Sequence, residues 1–470
     1  MMGFMRGVLK FFILLVILAV VVGGGAWVWA GRGEGPQIQI RQPGKLIGQA
    51  TPLDLVLETP GGQFSRIDIS IEQAGQTYPV YSLAQPEGEA RQDTADRMFI
   101  VRQVGVRDVP SLKAGPARIV VRAARPALFG LRQLESEATR DVEVRLEPPR
   151  VAVLSTLHYV NHGGAEFVVY RATPADVESG VRVGNETYPG FPASGAGITG
   201  DDSAKVAFFA LLHDQDLNTP VSVYARDAAG NEASVPLDHR PFAKPFAQSR
   251  IAIDDAFLDR VVPAIAATTP EMPISTTPEN RVTSFLQING DLRRRNAQTI
   301  AEQAAKTSPQ MLWKEPFQPL GNASVEARFA DNRTYMYQGR EIDRQVHLGF
   351  DLAVTARVPV LSAQRGTVLY VDDLGIYGNC VIVDHGLGVQ SLYAHLSSFD
   401  VKQGDAVEKG QTLGRSGMTG LAGGDHLHFT MLLHGRPVNP VEWWDQKWMQ
   451  DRVFRKIAAA GGDPLSAGTP

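Results

Sequence analysis

The chain has 470 residues, so at ~150 residues per domain it accommodates about three domains and several separate cores. With 20% charged residues, 44% hydrophobic residues and a net charge of -4, it has the balance of a folded globular protein, and no basic excess marks nucleic acid as the main partner. The single cysteine, Cys380, excludes an intramolecular disulfide framework and any multi-thiolate metal site. A bound metal would have to be held by His and carboxylate.

Residues 1–10 form a short basic leader with Arg6 and Lys10, and Phe11 to Ala30 follow as an uncharged run. As a helix this run covers about 30 Å, the thickness of a bilayer's hydrocarbon core, so a transmembrane helix is expected over 11–30. The basic flank, the interfacial Trp27 and Trp29 and the large body that follows point to a cytoplasmic N-terminus and an exported body, although Arg32 and Arg41 on the far side temper the charge bias. The competing reading is a cleaved signal peptide ending at Val28-Trp29-Ala30. The run is longer than a usual signal core and lacks a small-x-small cleavage site.

From 37 to 149, short runs alternate apolar and polar residues, as in Arg66-Ile67-Asp68-Ile69-Ser70-Ile71, between Gly/Pro/Asp/Gln clusters. This is strand-and-turn chemistry at sandwich spacing, and Pro148-Pro149 closes the unit. A second β unit follows over 150–240, ending in the Asp227-Ala228-Ala229-Gly230-Asn231-Glu232 phrase that resembles the end of bacterial immunoglobulin-like domains. Both units are expected to be immunoglobulin-like sandwiches. Over 249–307 the apolar period changes to about 3.6, which predicts a helical connector whose first helix is capped by Asp254 or Asp255. Its Arg293-Arg294-Arg295 run reads as a solvated face, with an anionic polymer as the alternative contact. The β texture returns at 312 and lasts to about 445, with a short helix and a loose tail expected over 446–470.

Six of the ten histidines fall between His347 and His434. In His347-Leu348-Gly349-Phe350-Asp351, a regular strand would separate His347 and Asp351 by about 13 Å, but a bend permitted by Gly349 would bring them to a common point. In Asp425-His426-Leu427-His428-Phe429, a strand sets His426 and His428 on one face, about 7 Å apart, with Leu427 and Phe429 on the other. Both imidazoles then bind a metal, or one binds it and its neighbour handles protons. His395, in Tyr393-Ala394-His395-Leu396, has similarly alternating surroundings. Imidazole and carboxylate suit zinc, and three protein ligands with one open position mark a catalytic site.

These phrases, in this order and spacing, resemble the LytM/lysostaphin-type zinc metallopeptidases, peptidase family M23. The resemblance continues through Gly366-Thr367-Val368, Tyr377-Gly378-Asn379, Val383-Asp384-His385-Gly386, Val401-Lys402-Gln403-Gly404-Asp405 and Asn439-Pro440. It implies a C-terminal antiparallel-β peptidase domain over 312–445, and a chain that is mainly β. It also implies Zn2+ held by His347, Asp351 and His428, with His395 and His426 as the catalytic pair flanking the metal-bound water. All five positions are filled, while Asp425 stands where many members have proline. No His-Glu-x-x-His helix supplies a glutamate base, so His395 and His426 are expected to share proton handling and to hydrogen-bond the oxyanion.

The implied activity is hydrolysis of peptide bonds in bacterial peptidoglycan by a membrane-anchored zinc endopeptidase. The body would lie in the periplasm, or otherwise outside the cytoplasm, anchored in the inner membrane. A non-catalytic wall-binding or hydrolase-activator protein and a zinc peptidase acting on a protein are the alternatives. The connector over 249–307 or the β units are expected to restrict the cleft. His385 and His434 read as turn residues and Cys380 as a small core residue, while Tyr377 and Tyr393 read either as substrate contacts or as packing.

Overall fold

The computed structural model describes residues 2–59, 62–85, 89–94 and 96–463, so part of the expected loose tail, from 464 on, lies outside the described residues, as does the Arg6 side chain. The chain is mainly β and forms two compact units, Met1–Pro148 with Arg226–Glu232, and Pro149–Ala225 with Ala233–Pro470.

The first unit begins with the helix Met2–Ala30, within which Gly7–Ala30 has a mean hydropathy of 2.7 over its most apolar window and is long and apolar enough to cross a membrane. Two sheets follow. One runs in the order Gln37–Gln42, Thr51–Glu58, Arg97–Val104, Glu89–Thr94, and the other in the order Leu46–Ile47, Arg132–Val144, Gly115–Ala127, Arg66–Gln73, Gln76–Ser82. Period-two alternation turns Leu53, Leu55 and Leu57 of one sheet toward Ile67, Ile69 and Ile71 of the other, and these six are buried in one core. Each such side chain contributes roughly 1.5–3 kcal/mol, whereas the cross-strand pairs Arg118–Asp141 and Arg122–Glu137 are solvent-exposed and add little.

In the second unit, strand Ala204–Leu211 is buried along its whole length and Gly164–Thr173 nearly so. Lys205-Val206-Ala207-Phe208-Phe209-Ala210 shows no alternation because both faces of the strand are covered. Phe208 lies 6.1 Å from Trp313 and 5.5 Å from Trp443, so this β region and the C-terminal β region share one continuous core. The helical reading expected from Ser249 needs correction at its start. Gln248–Ile253 is a strand, pairing in parallel with Asp331–Tyr337, and the first helix is Asp255–Thr268, capped by the Asp254 carboxylate accepting the Phe257 N–H at 2.8 Å. The strand satisfies its backbone on a neighbour that lies about 80 residues away, which no local period reveals.

The C-terminal sheet is antiparallel, in the order Ser324–Ala327, Phe350–Ala353, Leu427–Leu433, Val389–Leu396, Asn379–Asp384, Gly366–Asp373, Ala406–Val407, with Arg436–Val438 beside Leu427–Leu433. A smaller sheet, Gln248–Ile253, Asp331–Tyr337, Arg340–His347, lies before it in the chain. Between His347 and Phe350 the chain leaves the small sheet and enters the large one.

Candidate metal centre

This change of sheets assembles the site. His347 ends a strand of the small sheet, while Asp351 sits in the large sheet directly across from His428, which is itself opposite Ala394. Three neighbouring strands therefore deliver Asp351, His428 and His395 to one place. Gly349 lies at a bend between the two strands, as its sequence position suggests. Its φ lies outside the left-handed region, and a Cβ there would come within 2.6 Å of the His428 ring and of Thr430 Oγ1. The glycine leaves room for His428.

His347 Nε2 lies 2.9 Å from Asp351 Oδ1 and 3.0 Å from His428 Nδ1, and His428 Nδ1 lies 2.9 Å from Asp351 Oδ1. Outer partners fix the protons. The Arg328 carbonyl accepts from His347 Nδ1–H at 3.1 Å, so Nε2 carries the lone pair of the neutral ring. Thr430 Oγ1 donates to the Leu348 carbonyl at 2.9 Å and therefore accepts from His428 Nε2–H at 3.0 Å, which leaves the lone pair on Nδ1. Two imidazole nitrogens and a carboxylate oxygen thus converge on one point. Donors grouped in this way suit a cation, and the N,N,O set is one that zinc takes. Among the described residues these three form the group able to hold a metal ion.

The second carboxylate oxygen, Asp351 Oδ2, accepts from Arg333 Nη2 at 2.9 Å, so Oδ1 alone is left for the cluster. Burial opposes ionisation of Asp351, yet the surrounding imidazoles, His347 foremost, hold its carboxyl well below the usual range. Burial pulls His428 down to about 4, against the pull of Asp351, and keeps it neutral. His395 is held well below its ordinary value by burial and then by the neighbouring imidazoles. At His426 burial acts in the same direction, but the Asp351 carboxylate outweighs it and raises the imidazole.

His395 and His426 stand on one side of the cluster, ring centroids 4.9 Å apart. His395 Nδ1–H donates to the Thr419 carbonyl at 2.8 Å and His426 Nδ1–H to the Gly424 carbonyl at 2.9 Å, which leaves Nε2 as the free nitrogen of each ring. His426 Nε2 is 3.5 Å from Asp351 Oδ1. His395 has φ 62 inside its strand, a conformation costly for a residue with a Cβ. That backbone re-aims the imidazole out of the alternation read from sequence.

All five expected residues line one cavity of about 110 Å³, with Tyr377, Tyr335, Arg333 and Arg293 among its other walls. Tyr393 lies elsewhere, buried against Phe429, its hydroxyl accepting from Ala363 N–H at 2.7 Å. Arg293 departs from the solvated-face reading: it is half-buried, lines the cavity and donates to Asn289 Oδ1 at 2.6 Å. Asp425 accepts from Ser416 Oγ at 2.6 Å and from Arg357 N–H at 3.2 Å, tying down the loop before His426. Arg333 escaped the sequence reading, although Asp331, Arg333 and Tyr335 share one strand face and Asp331 pairs with His347.

Residues 345–440 match the model of peptidase family M23. The DD-carboxypeptidase/endopeptidase Mpg of Neisseria meningitidis is 41% identical over 97 residues, which are 21% of this chain and 22% of that protein. The peptidoglycan DD-endopeptidase ShyA of Vibrio cholerae is 38% identical over 96 residues, 20% of this chain and 22% of that protein. The match therefore spans about a fifth of the length of these curated relatives. The catalytic domain of lysostaphin from Staphylococcus simulans, a solved structure, is similar at 25% identity and a TM-score of 0.24, over 28% of this chain and 98% of that one. The C-terminal region of the chain carries a peptidase family M23 domain.

Proposed function

We propose that this M23 domain is a zinc endopeptidase that cleaves peptide bonds of bacterial peptidoglycan, held at the membrane by the helix Gly7–Ala30 with its body outside the cytoplasm. The observation that carries the reading is the convergence of the His347 Nε2, His428 Nδ1 and Asp351 Oδ1 lone pairs at 2.9–3.0 Å from one another. The relatives named as peptidoglycan DD-endopeptidases support the substrate, and the length and composition of the helix support the anchor.

In this reading His347, Asp351 and His428 hold the ion. Zinc in such a site supplies Lewis-acid polarisation of the scissile carbonyl and brings the pKa of water toward ~7. Arg333 fixes the Asp351 carboxylate so that one oxygen serves the metal. His395 and His426 share the proton handling at the cavity: between them they would take the proton of the attacking water, hydrogen-bond the developing oxyanion and return a proton to the leaving amine. Tyr377, whose ring lies 5.6 Å from that of His428, forms part of the wall that orients the peptide. The helical connector narrows the cleft through Arg293.

The test is a pair of variants in the full chain. His347→Ala is expected to lose both zinc and cleavage. His395→Ala is expected to keep about one zinc per chain and to cleave about 10²–10⁴-fold more slowly. Full zinc occupancy with no release of amino termini from purified peptidoglycan by the unaltered chain would favour an activator instead.

A further inference from the structure

The first unit carries a feature that peptide hydrolysis does not use. Strands Gly115–Ala127 and Arg132–Val144 form a long hairpin in unbroken register from Gly115↔Val144 to Ala127↔Arg132. Its tip reads Leu128-Phe129-Gly130-Leu131, with φ of 51, 54 and 89 at the first three residues. Leucine and phenylalanine rarely adopt such a backbone. The conformation turns the side chains outward: Phe129 is 104% exposed and Leu131 71%.

A single exposed apolar residue means little, but the location of this tip is specific. The chain leaving the apolar helix runs alongside the returning strand. A Cβ on Gly31 would meet Arg132, one on Gly33 would meet Leu134, and one on Gly35 would meet Ser136. The two segments advance together, so the residues just before Arg132 lie level with those just before Gly31. The tip therefore sits beside the last turn of the helix. Arg132 Nη1–H donates to the Trp27 carbonyl at 2.7 Å, and the guanidinium lies 5.3 Å from the Trp27 ring. Trp27 and Trp29 are exposed at the same level, 47% and 77%. Arg125, on the opposite arm of the hairpin, donates to the Glu34 carbonyl at 2.8 Å.

We propose that the Leu128–Leu131 tip is a second membrane contact, Phe129 and Leu131 entering the interfacial layer of the same bilayer that Gly7–Ala30 crosses. The occupant is a phospholipid surface. Aromatic and aliphatic side chains are favourable at the headgroup–acyl boundary, and Arg125 and Arg132, flanking the tip, match anionic headgroups. With the helix as one attachment and the hairpin as another, the first β unit is held at a fixed orientation on the membrane. This inference rests on the anchor reading of the helix.

The experiment uses the full chain, in which Cys380 is fully buried and leaves an introduced cysteine as the labelling site. Leu15→Cys in the helix, Phe129→Cys at the tip and Thr77→Cys at the opposite end of the same sheet are each labelled with an environment-sensitive fluorophore. The proteins are reconstituted in vesicles of phosphatidylethanolamine and phosphatidylglycerol. Labels at 15 and 129 are expected to shift to the blue and to be quenched by doxyl lipids, while the label at 77 is quenched by aqueous iodide alone. Iodide quenching at 129 equal to that at 77, with 15 in lipid, overturns the tip contact and leaves the anchor standing. Iodide access at both 15 and 129 overturns the anchor and the tip together. Protection at 129 from iodide without doxyl quenching assigns the tip to a protein partner and overturns the lipid contact.

Discussion

Two buried polar clusters in the second unit differ in how they end. In the first, Glu166, fully buried, accepts from Tyr159 N–H and Phe167 N–H, both at 2.8 Å, and from Lys456 Nζ at 2.7 Å, while Lys456 also donates to the Phe167 carbonyl at 2.8 Å. Nearby, the Glu442 carboxylate accepts from Asn161 Nδ2 at 2.6 Å and Ala165 N–H at 2.8 Å. This cluster closes on itself and joins the β region to the C-terminal region. In the His347–Asp351–His428 cluster the outer atoms have fixed partners, and the inner nitrogens and oxygen converge on one point. Equal burial thus accompanies opposite roles: a completed network holds two parts together, and an incomplete one invites an ion.

The largest stability effect is expected from breaking the closed cluster. Lys456→Met leaves the buried Glu166 with only the more distant Arg452, at 3.9 Å, as a cation and should cost about 3–5 kcal/mol in urea unfolding. Adding Glu166→Gln should recover most of that loss, and additive losses would contradict the paired reading.

Glu442 gives a pH-dependent effect of similar origin. Burial raises its carboxyl from 4.5 to about 7, ahead of the lowering by its N–H donors. A raised folded-state value means that the stability it contributes is fully present below pH 4.5 and is lost as pH rises through about 7. Glu442→Gln should therefore stabilise the chain by roughly 3–4 kcal/mol at pH 8 relative to its effect near pH 4, since each pKa unit is worth about 1.4 kcal/mol. A pH-independent difference between the two proteins would contradict this.

The smallest expected effect sharpens the open cluster. Thr430→Val removes the acceptor that fixes the His428 proton on Nε2, and zinc affinity, read by competition with a chromophoric chelator, should fall about 10–100-fold. Unchanged affinity would mean that the His428 tautomer is set in another way.

Much of the site was legible because each phrase carries its own geometry. His426 and His428 share a face by the period of two, and Gly349 marks the place where His347 and Asp351 converge. What the glycine does was not legible, since its need for space depends on His428, 79 positions later. The left-handed backbone of His395 had no local signal either. Arg333 reads as one more charged residue on an alternating strand until that strand is paired with the one ending in His347. The β units were visible as alternating runs, but the shared core around Phe208, Trp313 and Trp443 was not, because burial on both faces removes the alternation that reveals a strand. Glu442 carries no local signal, since its partners lie some 280 positions earlier.

The central claim is tested most directly by mass spectrometry of the muropeptides released from purified peptidoglycan by the zinc-loaded full chain. The expected result is new amino termini at peptide bonds, absent after chelation and restored by zinc. Intact peptidoglycan in the presence of a fully zinc-loaded chain would contradict the account.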